Sequence, residues 1–154
     1  MRLKDALTRA VAKLSTANVP SPRLNAETLL MFTLGCDRAY LYAHPEHDLS
    51  ADELARYDSA LSERARGIPA QYITGHQEFW GLDLIVSPAV LIPRPETEHL
   101  IETVIHLVAE GDLQAPSIVD VGTGSGAIAL ALAHELPHAE IHACDISSDA
   151  LEIA

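Results

Sequence analysis

The fold of the second half of this chain is decided by the segment Ser117-Ile118-Val119-Asp120-Val121-Gly122-Thr123-Gly124-Ser125-Gly126-Ala127-Ile128-Ala129-Leu130-Ala131-Leu132-Ala133. Its residues 118–121 are apolar and β-branched around one aspartate, which is typical of a buried parallel strand. Three glycines at alternate positions then predict a tight turn in which larger side chains would clash. The Ala/Leu/Ile run that follows consists of helix formers. Strand, glycine-rich turn and helix together open a nucleotide-type βαβ unit, which binds its ligand at the carboxyl end of the strand.

A second strand is predicted over residues 140–144, and Asp145 comes directly after it, 19 positions beyond Gly126. A carboxylate at this strand end is expected to accept hydrogen bonds from both hydroxyl groups of a ribose. The alternative role of Asp145 is the N-cap of a new helix, which is predicted to begin at Ser147 or Ser148. The pattern indicates nucleotide-type binding and does not choose the ligand.

The turn itself leaves two ligand classes open. Gly122, Gly124 and Ala127 satisfy G-x-G-x-x-A, the pattern that holds the pyrophosphate of a dinucleotide. S-adenosylmethionine has no phosphate, and it carries positive charge on its sulfonium and ammonium groups. Asp120 would complement those charges and would repel a pyrophosphate, so this residue favours the methyl donor. The alternative role of Asp120 is to cap the turn.

Upstream of the segment, Arg94 stands between two prolines and is the lone cation among residues 69–154. The prolines restrict its backbone and favour an extended conformation. The second proline fits the first position of a helix that ends at Gly111, and Glu96 and Glu98 suit the positive end of that helix dipole. Arg94 is therefore a candidate contact, either for an acidic neighbour or for the carboxylate of the donor.

Composition and charge exclude several classes of protein. The chain has 154 residues, of which 48% are hydrophobic, and this suits one domain or two small ones with packed cores. The net charge is −12. Residues 1–68 hold nine Lys/Arg and nine Asp/Glu, whereas residues 69–154 hold thirteen Asp/Glu and one cation. Because no basic stripe exists, direct nucleic-acid binding is not expected. The acidic half suits a cationic ligand or serves solubility alone.

Nothing in the sequence predicts a membrane span, an export signal or a metal site. No apolar run approaches the ~18 residues that a span needs, and residues 1–14 lack the apolar core of a signal peptide. Cys36 and Cys144 are too few for a disulfide framework. His134, His138 and His142 have no carboxylate or cysteine that completes a ligand set, so they are interpreted as surface histidines. The expected location is the cytoplasm.

Residues 1–68 predict a helical bundle. One apolar face recurs at helical spacing in the first helix, at Leu3, Ala6, Leu7, Ala10, Val11 and Leu14. Ser21-Pro22 is a start signal for a second helix that ends at Gly35, and a short third helix is predicted over residues 37–43. The capping box Ser50–Glu53 opens the fourth. No chemical site is predicted in this bundle, and its expected role is partner docking or packing.

Residues 69–93 predict a β-hairpin that links the bundle to the domain beginning at residue 94. Two β-prone runs, residues 78–86 and 90–92, flank Ser87-Pro88-Ala89, where the turn is expected. Phe79 and Trp80 are interpreted as packing anchors of the hairpin rather than as the wall of a ligand site.

The sequence Asp-Val-Gly-Thr-Gly-Ser-Gly-Ala-Ile-Ala at residues 120–129 resembles the first motif of the class I methyltransferases. Together with Leu-Ile-Pro-Arg-Pro-Glu-Thr-Glu at 91–98, Ala-Gln-Tyr-Ile-Thr-Gly at 70–75 and Phe79-Trp80-Gly81, it is similar to the release-factor glutamine N5-methyltransferases in particular. The fold that this resemblance implies is a small all-α bundle, a β-hairpin and, over residues 94–154, the first half of an α/β Rossmann-like class I methyltransferase domain.

The resemblance also implies a function. The family transfers the methyl group of S-adenosylmethionine to the side-chain amide nitrogen of the glutamine in the Gly-Gly-Gln motif of peptide chain release factors. Contacts to the donor are then expected from Asp120, Gly122, Thr123, Gly124, Ser125, Gly126 and Asp145. Arg94 is a further candidate for this set.

One part of the family pattern is not found. The family's catalytic Asn-Pro-Pro-Tyr does not occur, because the only asparagines are Asn18 and Asn25, both in the predicted bundle. No catalytic residue is therefore assigned, and we expect a truncated chain that holds the donor-binding elements and is inactive alone. Two alternatives stay open. One is a non-enzymatic interaction module, and the other is a fragment of a nicotinamide-dependent dehydrogenase, against which Asp120 and the Pro-Arg-Pro element argue.

Overall fold

The apolar residues near the start of the chain form one face of helix α1 (Leu3–Thr16). The computed structural model describes all residues from 1 to 154 and separates between Thr74 and Gly75 into two units. Four further helices complete the first unit, namely α2 (Pro22–Leu34), α3 (Arg38–Ala43), α4 (Ala51–Ala65) and α5 (Ala70–Thr74). The predicted bundle is confirmed. Helix α5 is an addition to it, since five residues are too few to show a helical repeat in the sequence.

The core of the first unit lies between α1, α2 and α4. The buried residues of α1 are Leu3, Ala6, Ala10 and Leu14, as their spacing predicts. They belong to one cluster with Leu29 and Leu30 of α2 and with Tyr57 and Leu61 of α4. The hydroxyl group of Tyr57 donates a 2.9 Å hydrogen bond to the carbonyl oxygen of Ala26. The one polar atom of this buried ring is therefore satisfied.

The helix starts of the first unit follow the sequence signals with one exception. Ser50 and Glu53 form the predicted capping box, in which each side chain accepts from the other residue's backbone N–H (3.2 and 2.7 Å). Ser21 does not cap α2, because its backbone is left-handed (φ 46°) whereas a capping serine needs an extended one. Instead, the amide of Asn25 donates to the carbonyl oxygen of Ser21 (3.2 Å).

The second unit opens with the antiparallel hairpin of β1 (His76–Phe79) and β2 (Leu82–Ile85). Its turn is Trp80-Gly81, with φ values of 54° and 72°. The predicted turn at Ser87-Pro88-Ala89 is therefore wrong. A two-residue turn of this kind needs positive φ at both positions, which glycine and asparagine adopt readily and tryptophan rarely does. Trp80 consequently gave no turn signal.

The remaining elements follow the predicted order. They are a 3₁₀ turn (Pro95–Thr97), α6 (Glu98–Glu110), β3 (Ser117–Val121), α7 (Ala127–Glu135), β4 (Glu140–Cys144) and α8 (Ser148–Ile153). Strands β3 and β4 are parallel, with Asp120 opposite Ala143 and Val121 opposite Cys144. Because the carboxyl ends of parallel strands meet at one edge, the glycine-rich turn and Asp145 lie side by side. The predicted order of bundle, hairpin and opening α/β unit is confirmed.

Helices α6 and α7 cover one face of this two-stranded sheet. Phe79 of the hairpin is buried in the same cluster as Ile101 and Leu132. On the other face, Val119 and Val121 are 58% and 79% exposed. The longest helix, α4, has 15 residues, and none of the helices combines the length and apolar character that a membrane span requires.

Candidate functional site

The glycine-rich turn is fastened to the end of β4 by backbone hydrogen bonds. The N–H groups of Gly122 and Thr123 both donate to the carbonyl oxygen of Cys144, at 2.8 and 3.0 Å. The N–H of Gly126 donates to the carbonyl oxygen of Thr123 (2.9 Å) and closes the turn. A β-carbon on Gly126, whose φ is 76°, would lie 3.3 Å from the Cβ of Ala154, so a larger residue would be strained there as well as crowded.

Asp145 holds the turn from the other strand. Its Oδ2 accepts from the N–H of Gly124 and its Oδ1 from the N–H of Ser147, both at 2.9 Å. These backbone donors, Ser147 first and Gly124 next, lower the pKa of the Asp145 carboxyl below its ordinary value. The group therefore stays ionised at neutral pH. Its alternative assignment as a helix N-cap is wrong, because the side chain of Ser147 caps α8 by accepting from Ala150 N–H.

Asp120 braces the turn from within β3. Its Oδ2 accepts a 2.7 Å hydrogen bond from the hydroxyl group of Thr123. This contact supports the alternative role of Asp120 in holding the turn, and it occupies only one acceptor position of the carboxylate, which can therefore act on a ligand as well. Thr123 and Ser125 are only 7% and 4% exposed. Their contribution to a ligand would therefore come from the backbone rather than from the hydroxyl groups.

The donors and acceptors at this edge fit an adenosine-type ligand with a positive charge. A carboxylate offers about four acceptor positions, and Asp145 uses two of them on the backbone. The others are available to a ribose diol. Next to it, Ile146 is 104% exposed, an apolar surface of the kind on which a purine ring packs. Ile146 is not among the contact residues that the sequence predicted. The signal for it was a single apolar residue between the strand-end carboxylate and Ser147.

Arg94 is placed as its flanking prolines predict. Its backbone is extended (φ −104°, ψ 144°), and its carbonyl oxygen accepts from Thr97 N–H (2.9 Å) at the start of the 3₁₀ turn. The guanidinium group is exposed and forms no ion pair within the second unit. The predicted pairing with an acidic neighbour is therefore wrong. No contact in the structure joins Arg94 to the turn.

The hairpin tip is joined to two helices of the second unit, α6 and α7. The backbone N–H of Trp80 donates to Glu98 at the start of α6 (3.0 Å). The indole N–H of the same residue donates to Glu135 at the end of α7 (2.8 Å). Together with buried Phe79, these contacts confirm the interpretation of the aromatic pair as a packing anchor. Glu98 lies in the first turn of α6 as expected, and it additionally binds the hairpin.

The three histidines near β4 are exposed, as expected. His142 lies 3.2 Å from the carboxylate of Glu140, a neighbour on the same strand. No group of three or more His, Cys, Asp or Glu residues is placed to hold a metal ion.

Comparison with known proteins identifies both units. Residues 5–75 match the family model of the PrmC N-terminal domain, and residues 97–154 match that of the methyltransferase small domain. The release factor glutamine methyltransferase of Koribacter versatilis is 60% identical over 154 residues, which are 100% of this chain and 54% of the relative. The enzyme of the same name from Moorella thermoacetica is 47% identical over the same shares.

A third relative, the release factor glutamine methyltransferase of Coxiella burnetii, is 43% identical over 100% of this chain and 54% of its own length. The chain thus spans about half the length of the curated relatives it matches. The methyltransferase small domain has the class I methyltransferase fold, which agrees with the strand order and the turn described above. The chain is therefore similar, over its whole length, to the N-terminal part of the release factor glutamine methyltransferases.

Proposed function

We propose that the chain binds S-adenosylmethionine at the edge formed by the glycine-rich turn, Asp120 and Asp145. The observation that carries this proposal is the pair of hydrogen bonds from Gly124 and Ser147 to Asp145. They hold an ionised carboxylate at the strand end before any ligand arrives, so little ordering remains to be done on binding. Asp120 adds a second negative charge that suits a cationic donor.

We further propose that this site serves methyl transfer to the glutamine side chain of the Gly-Gly-Gln loop of peptide chain release factors in the cytoplasm. The names of the relatives support this substrate class. The donor, when bound, supplies a methyl group on a positively charged sulfur. The part of this chain is to bind and orient that donor through the backbone of the turn, with Asp145 on the ribose and Asp120 near the positive charge.

The 154-residue chain on its own is proposed to bind the donor without transferring its methyl group. An amide nitrogen is a poor nucleophile, so catalysis needs polar groups that position the amide and interact with its N–H groups. The Asn-Pro-Pro-Tyr motif expected for that task does not occur in this sequence. Incubating the chain with a release factor and methyl-labelled donor should give background labelling only. Robust turnover would overturn this part of the proposal.

Titration calorimetry tests the donor site directly. S-adenosylmethionine and S-adenosylhomocysteine should both bind, and NAD should not, because its pyrophosphate would meet Asp120. Binding of NAD alone would instead indicate the dehydrogenase fragment. If none of the three bound to folded protein, the interaction module would be the better reading of the chain.

Arg94 is proposed as a further contact, to the carboxylate of the donor. Its support is an exposed, unpaired guanidinium group on a backbone that two prolines restrict. The substitution Arg94→Ala should then weaken S-adenosylmethionine binding. Arg66→Ala, an exposed arginine in the helical unit, is the control. Unchanged donor affinity in Arg94→Ala would exclude the contact and leave the rest of the site standing.

A further inference from the structure

A pocket of about 350 Å³ lies in the helical unit, between α1, α2 and α3. Its volume is at the lower end of the range for ligand sites in proteins. Leu7 and Val11 of α1 and Leu41 of α3 form the apolar part of its wall. Lys4 and Thr8 of α1 line the same pocket. The Thr8 hydroxyl already donates to the carbonyl oxygen of Lys4, so the pocket combines an apolar surface with the ammonium group of Lys4 at its border.

A buried carboxylate in the wall is already fully engaged. Glu27 is only 4% exposed. Its Oε1 accepts from Nε of Arg23 (2.9 Å) and from the hydroxyl group of Tyr42 (2.8 Å), and its Oε2 lies 3.4 Å from Nε of Arg38. Three donors, two of them cationic, compensate the single negative charge. Glu27 is therefore a support for the arginines and not a site for an incoming cation.

The border of the pocket keeps an excess of positive charge. The side chains of Arg23 and Arg38 are 65% and 51% exposed, and both direct their Nε atoms at Glu27. Nη2 of Arg23 also donates to the hydroxyl group of Tyr42 (3.3 Å). Arg38 does not line the pocket itself but reaches Glu27 in its wall. Lys4 is exposed and belongs to no ion pair within the unit. Two lining cations, Lys4 and Arg23, thus stand against one lining carboxylate beside an apolar wall, and the neighbouring Arg38 adds a third cation. An occupant that satisfies both must present an apolar group next to negative charge.

We propose that this pocket binds an acidic amphipathic peptide segment of a protein partner. A leucine-like side chain fills the apolar part, and neighbouring carboxylates pair with Lys4, Arg23 and Arg38. A nucleic acid is disfavoured because residues 1–68 hold as many acidic as basic residues and have no continuous basic stripe. This site is separate from the donor site of the second unit, so either proposal can fail without the other.

The test uses the whole chain, labelled with ¹⁵N for NMR. The probe is a synthetic, acetylated and amidated peptide of glutamate, leucine and alanine in amphipathic helical order. Its binding should shift the amide signals of residues 3–11 in α1, of residues 23–27 in α2 and of α3. A peptide with lysine for glutamate should not bind, and one with glutamine should bind several-fold more weakly. Shifts outside these elements would overturn the proposal. Equal affinities of the three peptides would also overturn it, as would an affinity for octanoate equal to that for the glutamate peptide.

Two pairs of variants localise the effect. Thr8→Trp fills the pocket, whereas Thr16→Trp adds the same ring elsewhere on α1. The two threonines are matched, since each is exposed and donates its hydroxyl to the carbonyl oxygen four residues earlier. Thr8→Trp should abolish peptide binding and Thr16→Trp should leave it unchanged. Wild-type affinity in folded Thr8→Trp would contradict the location.

The second pair tests the charge. Lys4→Glu and Arg66→Glu change the net charge equally, and both residues are exposed. Glutamate suits position 4 because it lies in the first turn of α1. Lys4→Glu should weaken binding at least about fivefold, through one lost attraction and one new repulsion. Arg66→Glu should change it less than about twofold. Equal weakening would show unspecific attraction and overturn the assigned site.

Discussion

Asp145 joins the two strands of the candidate site, because one of its oxygens binds the glycine-rich turn and the other binds the start of α8. Its position at the end of β4 could be predicted from the sequence, because the β-prone run and the aspartate directly after it are neighbours in the chain. Its partner Gly124 lies 21 residues away, and only the parallel pairing of β3 with β4 brings the two together. The local sequence therefore predicts where Asp145 lies, whereas only the tertiary structure shows which residue it binds.

Asp145→Asn should weaken donor binding at least about tenfold. The asparagine keeps one acceptor oxygen, but its NH₂ group then faces a backbone N–H that was bound before, so the turn loses one of its two braces. Calorimetry with S-adenosylhomocysteine measures the loss. Asp149→Asn, the same change at an exposed residue of α8, is the control and should bind normally. Equal affinities in the two variants would remove Asp145 from the site.

The ionisation of Asp145 gives a prediction on pH. The carboxyl has a lowered pKa in the folded chain, so its contribution to stability is fully present above the ordinary aspartate pKa and is lost as the pH falls through the folded value. The amide signals of Gly124 and Ser147 in NMR spectra should therefore stay constant from about pH 8 to pH 5 and move together only below about pH 4. A common midpoint above the ordinary pKa of an aspartate would contradict the hydrogen bonds assigned to Asp145.

The hairpin connects two helices of the second unit, α6 and α7. Its tip binds the first residue of α6 and the last residue of α7 through one tryptophan. Helix α7 begins directly after the glycine-rich turn, so the hairpin fixes the far end of the helix that carries the site. Phe79 adds a fully buried ring to the same cluster.

Trp80→Phe tests the hydrogen bond between the hairpin and α7. The change removes the indole N–H and keeps an aromatic ring and the backbone hydrogen bond to Glu98. It should lower the free energy of unfolding by about 1 kcal/mol. Circular dichroism during urea unfolding measures it, since the variant has no tryptophan left for fluorescence. Glu135→Ala should cost a similar amount, and the double variant should cost clearly less than the sum. Full additivity would show that the two side chains do not interact.

The elements also show what sequence could and could not predict. Strands β3 and β4 and the capping box at Ser50 were predicted because their signals are local. The hairpin turn was placed about seven residues too late, since positive φ at Trp80 is stabilised by contacts with α6 and α7 that no local pattern contains. The predicted N-cap at Ser21 was wrong for a related reason. A serine-proline pair does not indicate the left-handed backbone that Ser21 adopts. Glycine and capping residues predict turns from the local sequence. Tertiary contacts can also stabilise a turn at residues that rarely adopt its conformation, and the local sequence does not predict such a turn.

The two units of the molecule differ in how completely they bury their apolar residues. Every residue of the buried helical cluster lies between Leu3 and Ala70, inside the first unit. In the second unit, the sheet is covered by helices on one face and exposes Val119 and Val121 on the other. Parallel sheets are normally covered on both faces. The first unit is therefore expected to be the more independent folding unit of the two.

Residues 1–74 should fold as an isolated fragment. Their core, their capping box and the hydrogen bond from Tyr57 to Ala26 are all internal to the fragment. Circular dichroism should show a helical spectrum with a cooperative thermal transition, and the NMR amide signals should be dispersed. A spectrum of an unfolded chain would contradict this expectation and would mean that the first unit needs the second.

Tyr57→Phe gives the sharper comparison between fragment and chain. The substitution removes the hydroxyl group that donates to the carbonyl oxygen of Ala26, which lies inside α2 and keeps its helical N–H partner, and should cost about 1 kcal/mol of unfolding free energy. If the first unit has the same core in both contexts, this loss must be equal in residues 1–74 and in residues 1–154. Urea unfolding, followed in each by a resolved amide signal of α4, measures it. A loss in the full chain that exceeds the loss in the fragment would show that the core around Tyr57 depends on residues beyond Thr74.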